Sequence, residues 1–191
     1  MAKSRSSGSK RAVASALLVA AALFGSTDLR LGAWAPAEYE VKAAYLYNFG
    51  RFVHWPVSAP AAAGNLFSIC VLGADPFGRL LDTTIAGEMI DGKRVVARRI
   101  SQTEDAKGCR IVFVSGSEES DLAQVLPALN AERALTVSDI PQFTDRGGMI
   151  DFITADRHVR FEVNLAAARR EGLRLSSQLL KLAVKVIGTS Q

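Results

Sequence analysis

The sequence predicts an α/β fold: a single-domain, three-layer-like, mostly parallel sheet with an added C-terminal antiparallel hairpin, flanked by helices. Two observations lead to this expectation. Compact apolar runs alternate with amphipathic segments in the first part of the chain, which is the order of parallel strands joined by crossover helices. Two further apolar runs then follow with only a polar turn between them, which is typical of a hairpin. No repeat and no linker divides residues 38–191, so one domain is expected there.

The first predicted element is an amphipathic helix at residues 38–53. Its expected inner face is formed by Val41, Ala44, Tyr45, Asn48, Phe49 and Phe52. Lys42 is expected away from that face, and Trp55 is expected to pack back on the fold before Pro56. The later predicted strands are at 66–72, 94–100, 109–114 and 134–138, and the second of these is expected at an edge of the sheet. A helix capped by Asp75 is expected to end at about residue 83. Further helices are expected at 102–107, where there is room for one turn only, and at 118–131, 165–171 and 175–187.

The predicted hairpin pairs residues 149–153 with residues 159–163, after the glycine pair Gly147-Gly148. Its second strand alternates clearly. Val159, Phe161 and Val163 point one way, and Arg160, Glu162 and Asn164 point the other. One face of the hairpin should therefore be buried, and the other should be charged and wet.

The N-terminal 37 residues have the parts of a secretory signal peptide. A basic start is followed by an apolar run at residues 12–25, which as a helix measures about 21 Å and is short for a membrane span. Cleavage after Ala37 fits the small-x-small rule, and an uncleaved anchor is the alternative. This leader holds five of the 23 Lys and Arg but one of the 19 Asp and Glu, so the remaining 18 of each sign balance. The basic pI is therefore weak evidence for nucleic-acid binding.

The two cysteines, Cys70 and Cys109, each lie within a strand-like run. In an oxidising compartment they can form a disulfide, which would stabilise the fold by roughly 3–4 kcal/mol. Two buried free thiols are the alternative. Since the chain also has only two histidines, a zinc site is not expected.

We find no constellation of residues that demands catalysis. The turn at Gly116 has neither a Gly-x-Gly-x-x-Gly motif nor a P-loop lysine, and Glu118 and Glu119 beside it would repel an anion. Ser115, His54 and Asp139 lack the spacing of a catalytic triad. We therefore predict a non-enzyme without cofactor or metal. The candidates for binding a partner or ligand are Arg160, Glu162, Arg169 and Arg174, for which a solvated face with local ion pairs is the structural alternative.

Four segments together resemble the YfiR family. They are KAAYLYNFGRFVHWP at 42–56, FSICVLGADPFG at 67–78, LTVSDIPQFTDRGGMIDF at 135–152 and VRFEVNLAAARREGLRLSSQLLKLA at 159–183. The resemblance runs from about residue 40 to residue 187, with the segments in the family's order.

The resemblance implies a periplasmic α/β protein, often dimeric, that represses the inner-membrane diguanylate cyclase YfiN. An outer-membrane lipoprotein, YfiB, sequesters the repressor. The resemblance also implies a disulfide between Cys70 and Cys109, and it places Glu162 and Arg174 on a surface that faces ligand and partner. A second cysteine pair, found in YfiR near the turn equivalent to Gly147-Gly148, is absent here, which puts oxidative control through that bond in doubt.

Two functional hypotheses follow. The first is a periplasmic regulator that inhibits a membrane diguanylate cyclase by binding its periplasmic sensor region and so lowers cyclic-di-GMP signalling and biofilm output. The second is a periplasmic small-ligand sensor or binding protein that feeds a different membrane signalling system, with arginines that hold an anionic or aromatic compound.

Overall fold

The apolar runs of the sequence form the strands of a curled sheet, and helices cover both of its faces. The computed structural model describes residues 34–57 and 65–188. The helices are α1 (Trp34–Phe52), α2 (Arg79–Thr84), α3 (Leu122–Ala131), α4 (Leu165–Arg170) and α5 (Ser177–Leu182). The strands are β1 (Val53–His54), β2 (Leu66–Leu72), β3 (Met89–Ile90), β4 (Lys93–Ile100), β5 (Cys109–Val114), β6 (Leu135–Ser138), β7 (Ile150–Ala155), β8 (His158–Asn164), β9 (Arg174–Leu175) and β10 (Lys185–Ile187).

The strands of the main sheet lie in the order β10-β8-β7-β6-β5-β2-β4-β3. Its centre, from β4 through β2, β5 and β6 to β7, is parallel. β8 pairs antiparallel with β7, as the predicted hairpin requires. The predicted fold class is therefore confirmed. β1 and β9 form a separate two-stranded sheet, which the sequence did not indicate.

Each face of the main sheet buries its own apolar core. The core under α1 and α2 includes Leu46, Phe49 and Phe161, which are at most 1% exposed. The core under α3 includes Leu122, Val125, Leu126 and Leu129, which form the inner face of that helix. The sheet thus lies between two helical layers.

A disulfide joins Cys70 on β2 to Cys109 on β5, with 6.0 Å between the Cα atoms. This pairing is confirmed. An irregularity in β5 makes it possible: Ser68 lies opposite Cys109 and Ile69 lies opposite Ile111, so Arg110 is an extra residue in the strand. Such a bulge breaks the alternation of side chains. Cys109 consequently faces the α3 core with Cys70, although Ile111, two residues on, faces the other core.

The predicted inner face of α1 is displaced by part of a turn. Ala43 and Leu46 are fully buried, whereas Val41, which was predicted to face inward, is 43% exposed. Lys42, which was predicted to face away, is 3% exposed. The physical reason is a buried ionic partner: the Lys42 ammonium contacts Asp139, which follows β6, at 2.6 Å.

Two predicted helix starts are also wrong. Asp75 does not cap α2, because its carboxylate accepts a hydrogen bond from Phe77 N two residues on, at 2.8 Å. Gly78 then adopts a left-handed φ of 53° before α2 begins. Residues 118–121 belong to a 3₁₀ turn (Gly116–Asp121) ahead of α3. There Ser117 Oγ accepts from Ala74 N of the neighbouring loop instead of capping the helix.

The predicted closing helix at 175–187 divides into three elements. β9 pairs with β1, α5 begins at the cap Ser176, and β10 runs parallel to β8. The helix ends at Leu182, because Val184 N donates to Phe161 O on the hairpin at 3.0 Å and the next three residues, which include the β-branched Val186 and Ile187, pair with β8 as β10. Trp55 does pack back on the fold, as predicted, with its ring centroid 5.4 Å from that of Phe67.

Residues 1–33 of the predicted leader lie outside the described residues, and so do residues 58–64. α1 already begins at Trp34, so the predicted cleavage point after Ala37 lies in its first turn. Within the described part of the chain, none of the helices is long and apolar enough to span a bilayer.

Candidate functional site

The β7–β8 hairpin carries the first group of predicted site residues. Its turn is tight, because Asp156 and Arg157 both adopt left-handed φ angles, of 52° and 59°. Phe161 packs against Phe49 of α1 with 5.1 Å between ring centroids. Since side chains alternate along a strand, Arg160 and Glu162 lie on the opposite face, away from α1.

The two charged residues on that face differ in their surroundings. Arg160 is exposed and forms no ion pair with any described residue. Glu162 is partly buried and lies 3.4 Å from Lys185 of β10, which also approaches Asp145 at 3.7 Å. Glu162 therefore helps to hold β10 against β8, and Arg160 is the residue of this face that is available to a partner.

Asp151 is a buried carboxyl group beside Glu162, and the two are opposite each other in the β7–β8 register. It is 3% exposed and accepts a hydrogen bond from Phe143 N at 3.0 Å. Burial is the main cause that raises the pKa of Asp151 to about 6; the nearby Glu162, Asp139 and Asp145 act in the same direction, and the Phe143 hydrogen bond acts against them. This region is rich in carboxylates, and the cations that contact them within the described part of the chain are Lys42 and Lys185.

A second group of residues meets where α1 ends, and we define His54, Trp55, Arg110 and Arg174 as the basic corner. His54 of β1 pairs with Arg174 of β9. Trp55 follows directly, and the guanidinium carbon of Arg110 lies 6.0 Å from the centre of its ring. The bulge in β5 is what turns Arg110 toward this corner.

Two polar groups of the basic corner lack a hydrogen-bonding partner among the described residues. Arg110 is half-buried, and burial lowers the pKa of its guanidinium, with no carboxylate to offset that effect. The indole Nε1 of Trp55 is buried and donates to no acceptor in the described part of the chain. An unpaired cation and an unpaired N–H donor beside an aromatic ring are suited to an anionic group.

The predicted site residues are thus divided between two places. Arg160 and Glu162 share the outer face of β8, whereas Arg174 belongs to the small β1–β9 sheet. Arg169 is exposed in the last turn of α4, three residues before Gly172, where a cation also suits the helix dipole.

Sequence reasoning missed Arg110 and Lys42. No signal in the sequence marks the bulge, since its register depends on the pairing with β2. Lys42 bonds to Glu38 at 2.7 Å and to Asp139, which also accepts from Tyr39 Oη at 2.8 Å. Because its carboxylate partners are both in place, Lys42 links α1 to the carboxyl end of β6 and serves the fold.

Metal-ion binding finds no support in the described residues. Within 34–57 and 65–188, His, Cys, Asp and Glu side chains form no group of three or more that could hold a metal ion.

Comparison with known proteins identifies a family and solved structures of similar fold. The model of the YfiR/HmsC-like family matches residues 39–184, which is most of the chain. Among solved structures, the L-Trp complex of the ABC domain from Streptococcus pneumonia is similar in fold, with a TM-score of 0.52 and 11% identity over 76% of this chain. A conserved domain protein from Vibrio cholerae O1 biovar El Tor has a TM-score of 0.48 and 13% identity over 62% of this chain. The chain covers 60% and 54% of those two structures.

Proposed function

The chain belongs to the YfiR/HmsC-like family, and we propose on that basis that it is a periplasmic inhibitor of a membrane diguanylate cyclase. It binds the periplasmic sensor region of the cyclase and lowers cyclic-di-GMP signalling. The family has a periplasmic regulatory role that works through protein–protein interaction. The match over residues 39–184 is the observation that carries the proposal.

Exposed arginines supply the contact surface in this proposal. Arg160, Arg169 and Arg174 are exposed, and none of them forms an ion pair within the described part of the chain. Arginine is favoured at interfaces because its planar guanidinium can bind a carboxylate through two parallel hydrogen bonds. The sensor region of the cyclase should therefore present carboxylates to the hairpin face or to the basic corner.

Binding of the purified protein to the periplasmic region of a diguanylate cyclase tests this directly, beginning with any cyclase encoded beside its gene. We expect Arg160→Glu or Arg174→Glu to weaken binding at least tenfold, measured by calorimetry. Lys181→Glu, the same charge change on the exposed face of α5, is the matched control and should leave affinity unchanged. If the wild-type protein binds no such region, the proposal fails.

The basic corner favours a second candidate function, a sensor of a small anionic compound. The observation that supports it is that the Arg110 guanidinium and the Trp55 indole N–H have no hydrogen-bonding partner among the described residues. A ligand at 100 times its Kd stabilises a folded protein by about 2.7 kcal/mol, which a thermal shift detects.

A thermal-shift screen of amino acids, aromatic carboxylates and phosphate esters separates the two candidates. Stabilisation by one compound, lost in Arg110→Ala and retained in Lys181→Ala, favours the sensor, above all if no cyclase binds. A change in tryptophan fluorescence should accompany binding, because Trp55 is one of only two tryptophans in the chain.

A further inference from the structure

Part of one side of β4 has main-chain groups that pair with no other described residue. Arg94 N donates toward Asn65, on the β2 side, and Val95 N donates to Glu88 O on the opposite side. Alternate residues of a strand direct their main-chain groups to opposite sides, so those of Ala97 and Arg99 face outward. β3 pairs only with Lys93 and Arg94. The outer edge of β4 from Ala97 to Arg99 is therefore open in the described structure.

A groove runs beside this open edge, between β4 and the end of α2. Its cavity measures about 360 Å³. Ile85, Ala86 and Gly87 line one wall, and Val95 and Ala97 line the other. These wall residues are apolar and mostly small, whereas Asp82 and Arg94 add polar groups to the lining. The groove can therefore receive a side chain of modest size whose apolar part lies between the two walls.

An ionic network fixes the groove at one end. Arg99 Nη2 lies 2.7 Å from Asp82 Oδ2 and also donates to Gly78 O at 2.6 Å, while Arg99 Nε lies 2.9 Å from Asp75. These contacts hold the start of α2 against β4. The groove is accordingly a preformed feature of the fold.

The other end of the groove is positively charged. Arg94 lines the groove and is exposed, and it forms no ion pair with any residue in 34–57 or 65–188. Its neighbour Lys93 likewise has no carboxylate partner in those ranges. An incoming chain with acidic side chains would meet both cations.

We propose that the β4 edge and the groove beside α2 bind an extended, acidic peptide segment of a partner protein by strand addition. The main chain of the segment pairs with Ala97 and Arg99, one of its apolar side chains enters the groove, and a carboxylate of the segment binds Arg94. Strand addition beside a groove is an established mode of peptide recognition. The site uses none of the residues assigned to cyclase binding, so either proposal can fail alone.

A second copy of the chain is a poor occupant of this edge. β3 already pairs with Lys93 and Arg94, so two copies could pair antiparallel only through Ala97 to Arg99, which would place Arg98 of one copy opposite Arg98 of the other. Like charges placed opposite each other destabilise strand pairing. The charge pattern therefore selects an acidic segment over self-association.

Selection from a random dodecapeptide display library, with the purified protein as bait, tests the proposal. We expect the selected peptides to be acidic and without proline at their centre. Ala97→Pro removes an outward N–H at an edge position that tolerates proline, and it should weaken the selected peptides at least tenfold. Arg94→Glu should weaken them similarly, and Lys181→Glu should not.

Three outcomes would overturn the proposal. If no acidic peptide is selected, or if selected peptides bind Ala97→Pro as tightly as wild type, the edge is only a charge-protected strand end. Self-association that Ala97→Pro abolishes, seen by sedimentation, would equally contradict it. Should Ala97→Pro fail to fold, amide exchange of the wild type decides: a bound peptide must slow exchange at Ala97 and Arg99.

Discussion

Single residues in this protein combine burial with charge, and Asp151 is the clearest case. Its carboxyl group is 3% exposed and has its pKa raised to about 6, mainly by burial. The carboxylates that face it are Glu162, from the neighbouring strand, and Asp139 and Asp145, from the segment before β7, while Lys185 contacts Glu162 and Asp145. The folded state therefore holds the Asp151 proton more tightly than the unfolded chain does.

We expect Asp151 to reduce stability as the pH rises. The contribution of Asp151 to the free energy of unfolding is most favourable below about pH 4, the ordinary pKa of aspartate, where the carboxyl group is protonated in both the folded and the unfolded chain. This contribution is lost as the pH rises through about 6, because the buried group must then ionise. Asp151→Asn keeps an oxygen for Phe143 N and removes the charge. The difference in free energy of unfolding between Asp151→Asn and the wild type should therefore rise by roughly 2–3 kcal/mol in favour of the variant between pH 4 and pH 7. Urea unfolding of both proteins at several pH values measures this, and parallel pH profiles would refute it.

Lys42 is a second buried charged residue, and we expect its removal to destabilise the protein. Its ammonium contacts Glu38 and Asp139, and removing it leaves two carboxylates without their cation. Breaking a buried ion pair on one side usually costs about 3–5 kcal/mol. We expect Lys42→Ala to lower the free energy of unfolding by about 3 kcal/mol, measured by urea titration. Lys181→Ala on the exposed face of α5 should change it by less than about 0.5 kcal/mol.

At the scale of elements, β2 and β5 are joined both by main-chain pairing and by the Cys70–Cys109 bond. The bond closes a loop with a sequence separation of 39 residues. Loop entropy predicts that losing it lowers the free energy of unfolding by about 3–4 kcal/mol.

Replacing both cysteines by alanine should therefore lower the Tm by several degrees. Calorimetry of the oxidised protein and of the double variant tests this, with the reduced wild type expected to resemble the variant. Thiol titration of the unfolded, unreduced protein is the independent check. Two reactive thiols per chain would show that the bond is not formed in solution.

The sequence predicts an element correctly where its local hydrophobic pattern alone decides which face is buried. The alternation of Val159, Phe161 and Val163 fixes the buried face of β8 without further information. The segment at 175–187 carries a helical stripe, but its register is decided by pairing with β8 and β1, which lie far away in sequence. Local periodicity cannot report such contacts, and so a helix was predicted where two short strands flank α5.

At the scale of the whole molecule, the fold class followed from the order of the elements, and the family followed from four segments in sequence order. The candidate sites followed only in part. Arg160, Glu162 and Arg174 were found as charges beside predicted elements, but their separation onto two sheets depends on the chain's topology. Arg110 could not be found, since its position depends on a one-residue shift between β5 and β2.

Repression of a diguanylate cyclase is the function that we propose for the whole protein. It is tested by the cellular cyclic-di-GMP concentration, determined by mass spectrometry in a strain from which the gene is deleted. We expect the concentration to rise on deletion and to return to its original level when the wild-type gene or Lys181→Glu is restored. Arg174→Glu should fail to restore it, although the protein accumulates normally. A deletion strain with unchanged cyclic-di-GMP would contradict the account.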